Sequence, residues 1–154
     1  MQRAVSIGFG LALGLLMLAL QGCDQWPADP RDSLNGALER GSLRVGVIAN
    51  PPWVELADPT SPTGVESDLV AQFAAEHDLV VDWRTGGVEE QIEALRAYEL
   101  DLLIGGFTRS NPWKAEVGNS FPHHEDRVLL TPPGENALLM AVERFLFQQQ
   151  ENER

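Results

Sequence analysis

The chain has 154 residues, with 23 acidic and 11 basic side chains, one cysteine and a formal charge of −12. One domain is the expectation at that length. A lone cysteine excludes an intramolecular disulfide framework and any multi-cysteine zinc site. The acidic balance argues against a nucleic-acid partner, because neutralising phosphates needs clustered Lys and Arg.

Met1-Gln2-Arg3 carries one positive charge, and residues 4–20 are uncharged and almost wholly apolar. A positive start, a short apolar run and small residues at its end make an export signal. The run meets Leu20-Gln21-Gly22-Cys23. That tetrapeptide resembles a bacterial lipoprotein signal, which is cut just before a Cys that becomes acylated. The alternative is an uncleaved membrane anchor and an incidental Cys. The position of the only cysteine favours lipidation at Cys23, so the first expected partner is the membrane itself. Each buried acyl methylene would contribute about 0.8 kcal/mol to anchoring. Asp24, directly after the Cys, resembles a signal for retention in the inner membrane. The expected division is a signal peptide over 1–22, a tether over 23–31, a folded lobe over 32–148 and a polar tail over 149–154.

The tether DQWPADPR is polar and holds two prolines. Asp32-Ser33 can cap a helix over 34–40, stopped by Gly41. Residues 43–48 alternate into a strand, broken by Asn50-Pro51-Pro52. A loop over 53–63 contains Asp58-Pro59 and Ser61-Pro62. Leu69, Val70, Phe73 and Ala74 lie at helical spacing within 68–76. A valine-rich strand follows over 79–83, then an amphipathic helix over 88–98. Residues 101–104 form a third strand, running into Gly105-Gly106. Asn111-Pro112-Trp113 could open a short helical turn. Residues 127–130 make a fourth strand, and 135–147 a last helix whose stripe is Leu138, Leu139, Val142, Phe145 and Leu146. Phe147 broadens that stripe toward an exposed, partner-ready edge. Alternating strands and helices predict an α/β fold of parallel strands covered by helices. Sheets of this kind bind at the carboxyl ends of their strands, here the loops beginning at Ala49, Arg84, Gly105 and Thr131. After residue 23 the chain lacks a nucleophile elbow, phosphate loop, zinc-helix motif and dinucleotide fingerprint, so no cofactor is expected.

An ordered run is more specific. It comprises Leu43-Arg44-Val45-Gly46-Val47, Pro51-Pro52-Trp53, Gly64-Val65-Glu66-Ser67-Asp68-Leu69, Ile92-Glu93-Ala94-Leu95, and Asp101-Leu102-Leu103-Ile104-Gly105-Gly106-Phe107-Thr108. It resembles the opening of family 3 extracellular solute-binding proteins, the amino-acid and polar-solute binders of ABC importers. Ser120-Phe121-Pro122 sits where that family has Phe-Ser-x-Pro-Tyr. Family members close two lobes of a type II periplasmic-binding-protein fold on a solute. Between His123 and the last helix this chain has residues for one returning strand only. The resemblance therefore implies a single lobe, mostly parallel, of about four strands. It also implies an aromatic at Trp53 against the solute, with Gly106 and Thr108 on the ligand loop. The family's carboxylate-clamping Arg falls, without gaps, on Trp113. Lys114 follows it, and Arg109 stands nearby out of register. The ligand-binding candidates are thus Trp53, Gly106, Thr108 and Arg109.

Each candidate has a plainer reading. Trp53 could simply cover the open face of one lobe. Gly105-Gly106 and Thr108 could be ordinary turn chemistry. Glu66 and Asp68 read as caps and dipole partners of the helix they begin. Glu89, Glu90 and Glu93 read as a solvated face. His123-His124-Glu125-Asp126 invites a metal, but neighbouring side chains on an extended segment diverge. No metal is expected there.

The functional expectation is a membrane-tethered, extracytoplasmic, transport-associated binding module. It would hold a small polar solute weakly, or dock on an ABC permease or another membrane transporter or sensor. A second copy of the chain could complete the cleft as a homodimer. The alternatives are an enzyme on the same fold, dehydratase-like, and a degenerate lobe without a ligand. Transglycosylases resembling this fold carry a separate catalytic domain. Glu55 or His123 could be nominated as an acid–base group, but nothing pairs them.

Overall fold

The computed structural model describes residues 29–152. The leader, Cys23 and most of the tether lie outside them. Along the chain run α1 (Ser33–Arg40), β1 (Ser42–Val47), α2 (Val65–Glu76), β2 (Val80–Thr85) and α3 (Val88–Arg96). They are followed by β3 (Leu102–Thr108), β4 (Gly118–Asn119), β5 (Arg127–Thr131) and α4 (Asn136–Asn152).

The strands form one sheet in the order β2-β1-β3-β5-β4. β1 pairs parallel with β2 and β3, while β5 pairs antiparallel with β3 and β4. Four strands therefore point one way and β5 alone reverses, so the sheet is mostly parallel. The reversal corrects the expectation for residues 127–130. A parallel return needs a crossover, usually a helix. Residues 109–126 hold only turns and the short β4, and Asn111-Pro112-Trp113 opens a turn rather than a helix. In consequence the loop at Thr131 leaves the opposite end of the sheet. The segment 123–126, entering β5, joins the carboxyl ends of β1 and β3 instead.

Alternation along the strands sends side chains into two cores. Leu43, Val45, Val47, Leu102, Ile104 and Leu129 face α1, α2 and α4. Leu103, Val128 and Leu130 face Ile92 and Leu95 of α3. Gly46 permits close packing on that second side. A Cβ there would lie 2.5 Å from Gln91 Oε1 and 2.7 Å from Leu100 Cδ1. β2 is an edge, with Val81 and Trp83 turned to the core and Val80 exposed. On α4, Leu138, Val142, Phe145 and Leu146 are buried, while Met140 and Phe147 are exposed.

Polar contacts lock the first helix to the last. Asp32 does not cap α1 with its side chain, and its carboxylate accepts instead from Asn35 Nδ2 at 2.9 Å. The amides of Arg31 and Ser33 donate to the buried Glu135 carboxylate, each at 2.7 Å. In return the amides of Asn136 and Ala137 donate to Asp29 at 3.0 and 2.7 Å. Each helix start is thus served by a carboxylate from the other end of the chain. At the amino ends of the strands, buried Asp101 accepts from Arg44 Nη2 at 2.6 Å and Arg40 Nη2 at 2.8 Å. Hydrogen bonding to Asp101 raises the Arg44 pKa above its ordinary value.

Candidate functional site

The carboxyl ends of β1 and β3 meet through Ile48, whose amide donates to the Ile104 carbonyl at 2.9 Å. Beyond β1 the chain turns at Asn50-Pro51-Pro52 and presents Trp53, half-buried. The carbonyls of Pro52 and Trp53 accept from the amides of Val65 and Glu66, at 3.2 and 3.0 Å. This docks the start of α2 under the Trp53 turn. Gly64 makes the approach possible, since a Cβ there would sit 2.7 Å from the Trp53 carbonyl oxygen.

The docking changes the role of Glu66. Backbone carbonyls already serve the first amides of α2, and no side chain caps that helix. Glu66 is fully buried. Its Oε2 accepts from the amides of Gly105 and Gly106, both at 2.9 Å. Its Oε1 lies 3.0 Å from His123 Nε2. Two amides on one oxygen leave the other to accept an Nε2–H, which puts the histidine proton on Nε2. His123 is buried, and among the described residues its Nδ1 has no partner. The capping reading of Glu66 is therefore overturned.

Gly106 is held from both sides. Its amide is taken by Glu66, and its carbonyl accepts from Arg127 Nη1 at 2.6 Å. Asn50 Nδ2 donates to the neighbouring Gly105 carbonyl at 2.8 Å. Gly106 has φ 67°, and a Cβ would fall 2.5 Å from Trp53 Cδ1. Only glycine fits both the conformation and the space. The Arg127 guanidinium carbon stands 5.1 Å from the centroid of the Trp53 ring. The rings of His123 and His124 meet Trp53 edge-on, at 6.0 and 5.3 Å. The His123 side chain turns inward and His124 is exposed, yet both rings reach the same Trp53, closer together than the expected divergence.

The sequence candidates divide between two places. Trp53 and Gly106 touch. Thr108 lies further out, its Oγ1 3.1 Å from Ser110 Oγ. Arg109 is exposed and lines an open groove of about 660 Å³ with Lys114, Phe121, Pro122 and Glu143. Trp113 occupies no clamp position, because it packs edge-to-face on Phe107 at 6.1 Å, within the α3-side core. Glu66, Arg127 and Asn50 are the residues that sequence reasoning missed. Glu66 lay in a quoted motif, but its spacing after Gly64 reads equally as a cap.

Chemically the arrangement offers an aromatic face, one carbonyl and a separate cationic groove. The Glu66–His123 pair lies largely buried beneath that face. Among the described residues, no three His, Cys, Asp or Glu side chains gather to hold a metal ion.

Several known proteins share this architecture. Over 101 residues the chain is 35% identical to membrane-bound lytic murein transglycosylase F of Vibrio cholerae, covering 65% of this chain and 19% of that protein. The chain thus spans about a fifth of the length of the curated relatives it matches. Domain 1 of TmArgBP, in an arginine-bound Phe57Trp mutant, superposes with TM-score 0.69 at 20% identity, covering 77% of this chain and 98% of that one. The ancestral amino acid-binding protein AncCDT-1, a precursor of cyclohexadienyl dehydratase, gives TM-score 0.72 at 16% identity, covering 79% and 94%. At those identities the two structures establish the fold, a single lobe of a periplasmic binding protein. The sequence match to a family runs from residue 43 in β1 to residue 153. On that match the chain belongs to the bacterial extracellular solute-binding proteins, family 3.

Proposed function

We propose that this chain is a single solute-binding lobe on the outer side of a bacterial cytoplasmic membrane, tethered through an acylated Cys23. The strand-end face around Trp53, Gly106, Thr108 and Arg109 takes a small polar solute weakly, or meets a membrane transporter or sensor that supplies the opposite wall. One observation carries this reading. Glu66 fixes Gly105, Gly106 and His123 beneath Trp53, so the ligand loop is organised from within one lobe. Arg109 and Lys114 face the same groove as Glu143, a pairing of charges suited to a zwitterion such as an amino acid. Amino-acid-binding structural neighbours and murein-directed relatives make amino acids and murein fragments the first solutes to try. An open face buries a small ligand poorly, so weak binding is expected from one copy. A second copy facing the first would form a two-walled cleft.

The test is a thermal-shift screen of the chain from Asp24 onward against amino acids, polyamines, small organic acids and murein fragments. A ligand at a hundred times its dissociation constant adds about 2.7 kcal/mol. A reproducible rise that Thr108→Val or Arg109→Ala abolishes supports solute binding. A folded chain that responds to none, and that no membrane protein retains in a crosslinked pull-down, points to a degenerate lobe.

A further inference from the structure

We propose that the Trp53 ring and the Gly106 carbonyl form a guanidinium seat that the chain fills with its own Arg127. A guanidinium-bearing solute would enter only by displacing that side chain. The inference deepens the strand-end reading above and rests on it.

Three observations carry it. First, Arg127 stacks its charge over an indole at 5.1 Å while Nη1 donates to a carbonyl at 2.6 Å. A planar cation with N–H donors at its edge presents a face to the ring and an edge to the carbonyl, whereas a compact ammonium has no planar face to stack. Second, the peptide that leads into the acceptor is held in place independently of Arg127. The Gly106 amide is fixed by Glu66, and the neighbouring Gly105 carbonyl by Asn50. Gly106 is therefore anchored on its amino side when Arg127 leaves. Third, Arg127 fits it imperfectly. Its Nε is buried without a hydrogen-bond partner among the described residues, and the nearest carboxylate oxygen, on Asp126, is 3.8 Å away. Its side chain reaches the seat from a backbone pinned by pairing with Thr108, which restrains how the guanidinium can sit. A free guanidinium has no such restraint.

The experiment is chemical rescue, read by thermal unfolding of the full chain in detergent. The probe is methylguanidinium chloride, with methylurea as the neutral isostere and potassium chloride at equal ionic strength. Arg127→Ala should unfold several degrees below the wild type. Methylguanidinium at about 50 mM should raise the variant's Tm by about 3 °C, with no rise from methylurea or salt. The wild type, its seat filled, should show no rise. Adding Trp53→Ala to Arg127→Ala should abolish the rescue. Arg127→Gln keeps an N–H for the Gly106 carbonyl without the charge. It should fold even where the alanine variant does not, and should show the same cation-specific rise at smaller size. The proposal is overturned if neither variant is rescued, if methylurea rescues equally, or if the wild type responds as strongly as the variants. Solute binding elsewhere on the face, at Arg109 and Lys114, would survive that failure. It is read by the separate screen on the wild type.

Discussion

Glu66 and His123 stand 57 residues apart in sequence, yet their side chains meet at 3.0 Å inside the lobe. One comes from the first turn of α2, the other from the segment that enters β5. Between them they fix the end of β3. Because the carboxylate also accepts two amides, removing it strands buried donors rather than a single contact.

Glu66→Ala should therefore cost about 2–4 kcal/mol, the penalty for leaving two buried amides unpaired. Glu66→Gln should cost less, since its carbonyl oxygen can still take the Gly105 and Gly106 amides. Its amide nitrogen then faces His123, whose proton must move to the unpartnered Nδ1. Denaturant midpoints of both variants should rank alanine below glutamine below wild type. A double cycle with His123→Ala should show coupling of about 1 kcal/mol or more. Equal midpoints for Glu66→Ala and wild type would contradict the arrangement.

Much of the scaffold could be read in the sequence, and the reasons differ from element to element. The strands and helices followed from apolar spacing, as with Leu69, Val70 and Phe73 on α2. The reversal of β5 did not, because a strand's pattern says nothing about its direction. The error moved one binding loop, at Thr131, to the wrong end of the sheet. Near the strand ends, the turns that carry Trp53 and Gly106 were legible because turn glycines and a Pro-Pro-Trp corner are local signals. Glu66 was not. A glutamate at a helix start has a sufficient local reading as a cap, and only the tertiary docking of α2 against the Trp53 turn sends it to β3. Glu135 repeats the lesson. Placed just ahead of α4, it serves the amides at the start of α1, more than a hundred residues away.

That exchange of carboxylates gives the next expectation. Glu135→Ala removes the acceptor of two amides, one of them buried, and should cost about 1–2 kcal/mol, typical of a lost helix cap. Asp29→Ala acts at an exposed helix start and should cost less, about 0.5–1 kcal/mol. Hydrogen exchange should show α1 opening more readily in the first variant and the first turn of α4 in the second. Uniform loss of protection across the lobe in both would show that the contacts are not local clamps.

At the opposite end of the sheet, Asp101 answers two arginines. Its carboxylate is wholly buried, while Arg40 and Arg44 keep 38% and 21% of their side-chain surface exposed. Losing one partner of a fully buried pair typically costs about 3–5 kcal/mol. Here the stranded cations can reach water, so Asp101→Ala should cost about 2–3 kcal/mol. Asp101→Asn keeps an acceptor for the Arg44 amide and should fall between. Because this cluster lies far from Trp53, neither variant should alter a solute-induced shift once its lower Tm is taken into account. A lost shift would mean that the two ends of the sheet are coupled.

The strand-end face makes the sharpest separation between binding and stability. Thr108 and Arg109 contribute little to either core, so Thr108→Val and Arg109→Ala should change stability by no more than about 0.5 kcal/mol. Trp53 differs. It packs against Gly106, Arg127 and both histidines, so Trp53→Ala should cost about 3 kcal/mol as well as any binding. Trp53→Phe keeps an aromatic face at smaller volume and should lose about 1 kcal/mol. Midpoints and solute shifts measured on the same four variants separate the roles. Loss of the shift in Thr108→Val or Arg109→Ala at an unchanged midpoint identifies a ligand contact. A shift that survives both, yet disappears with Trp53→Phe, places the solute on the indole and away from the Arg109 groove.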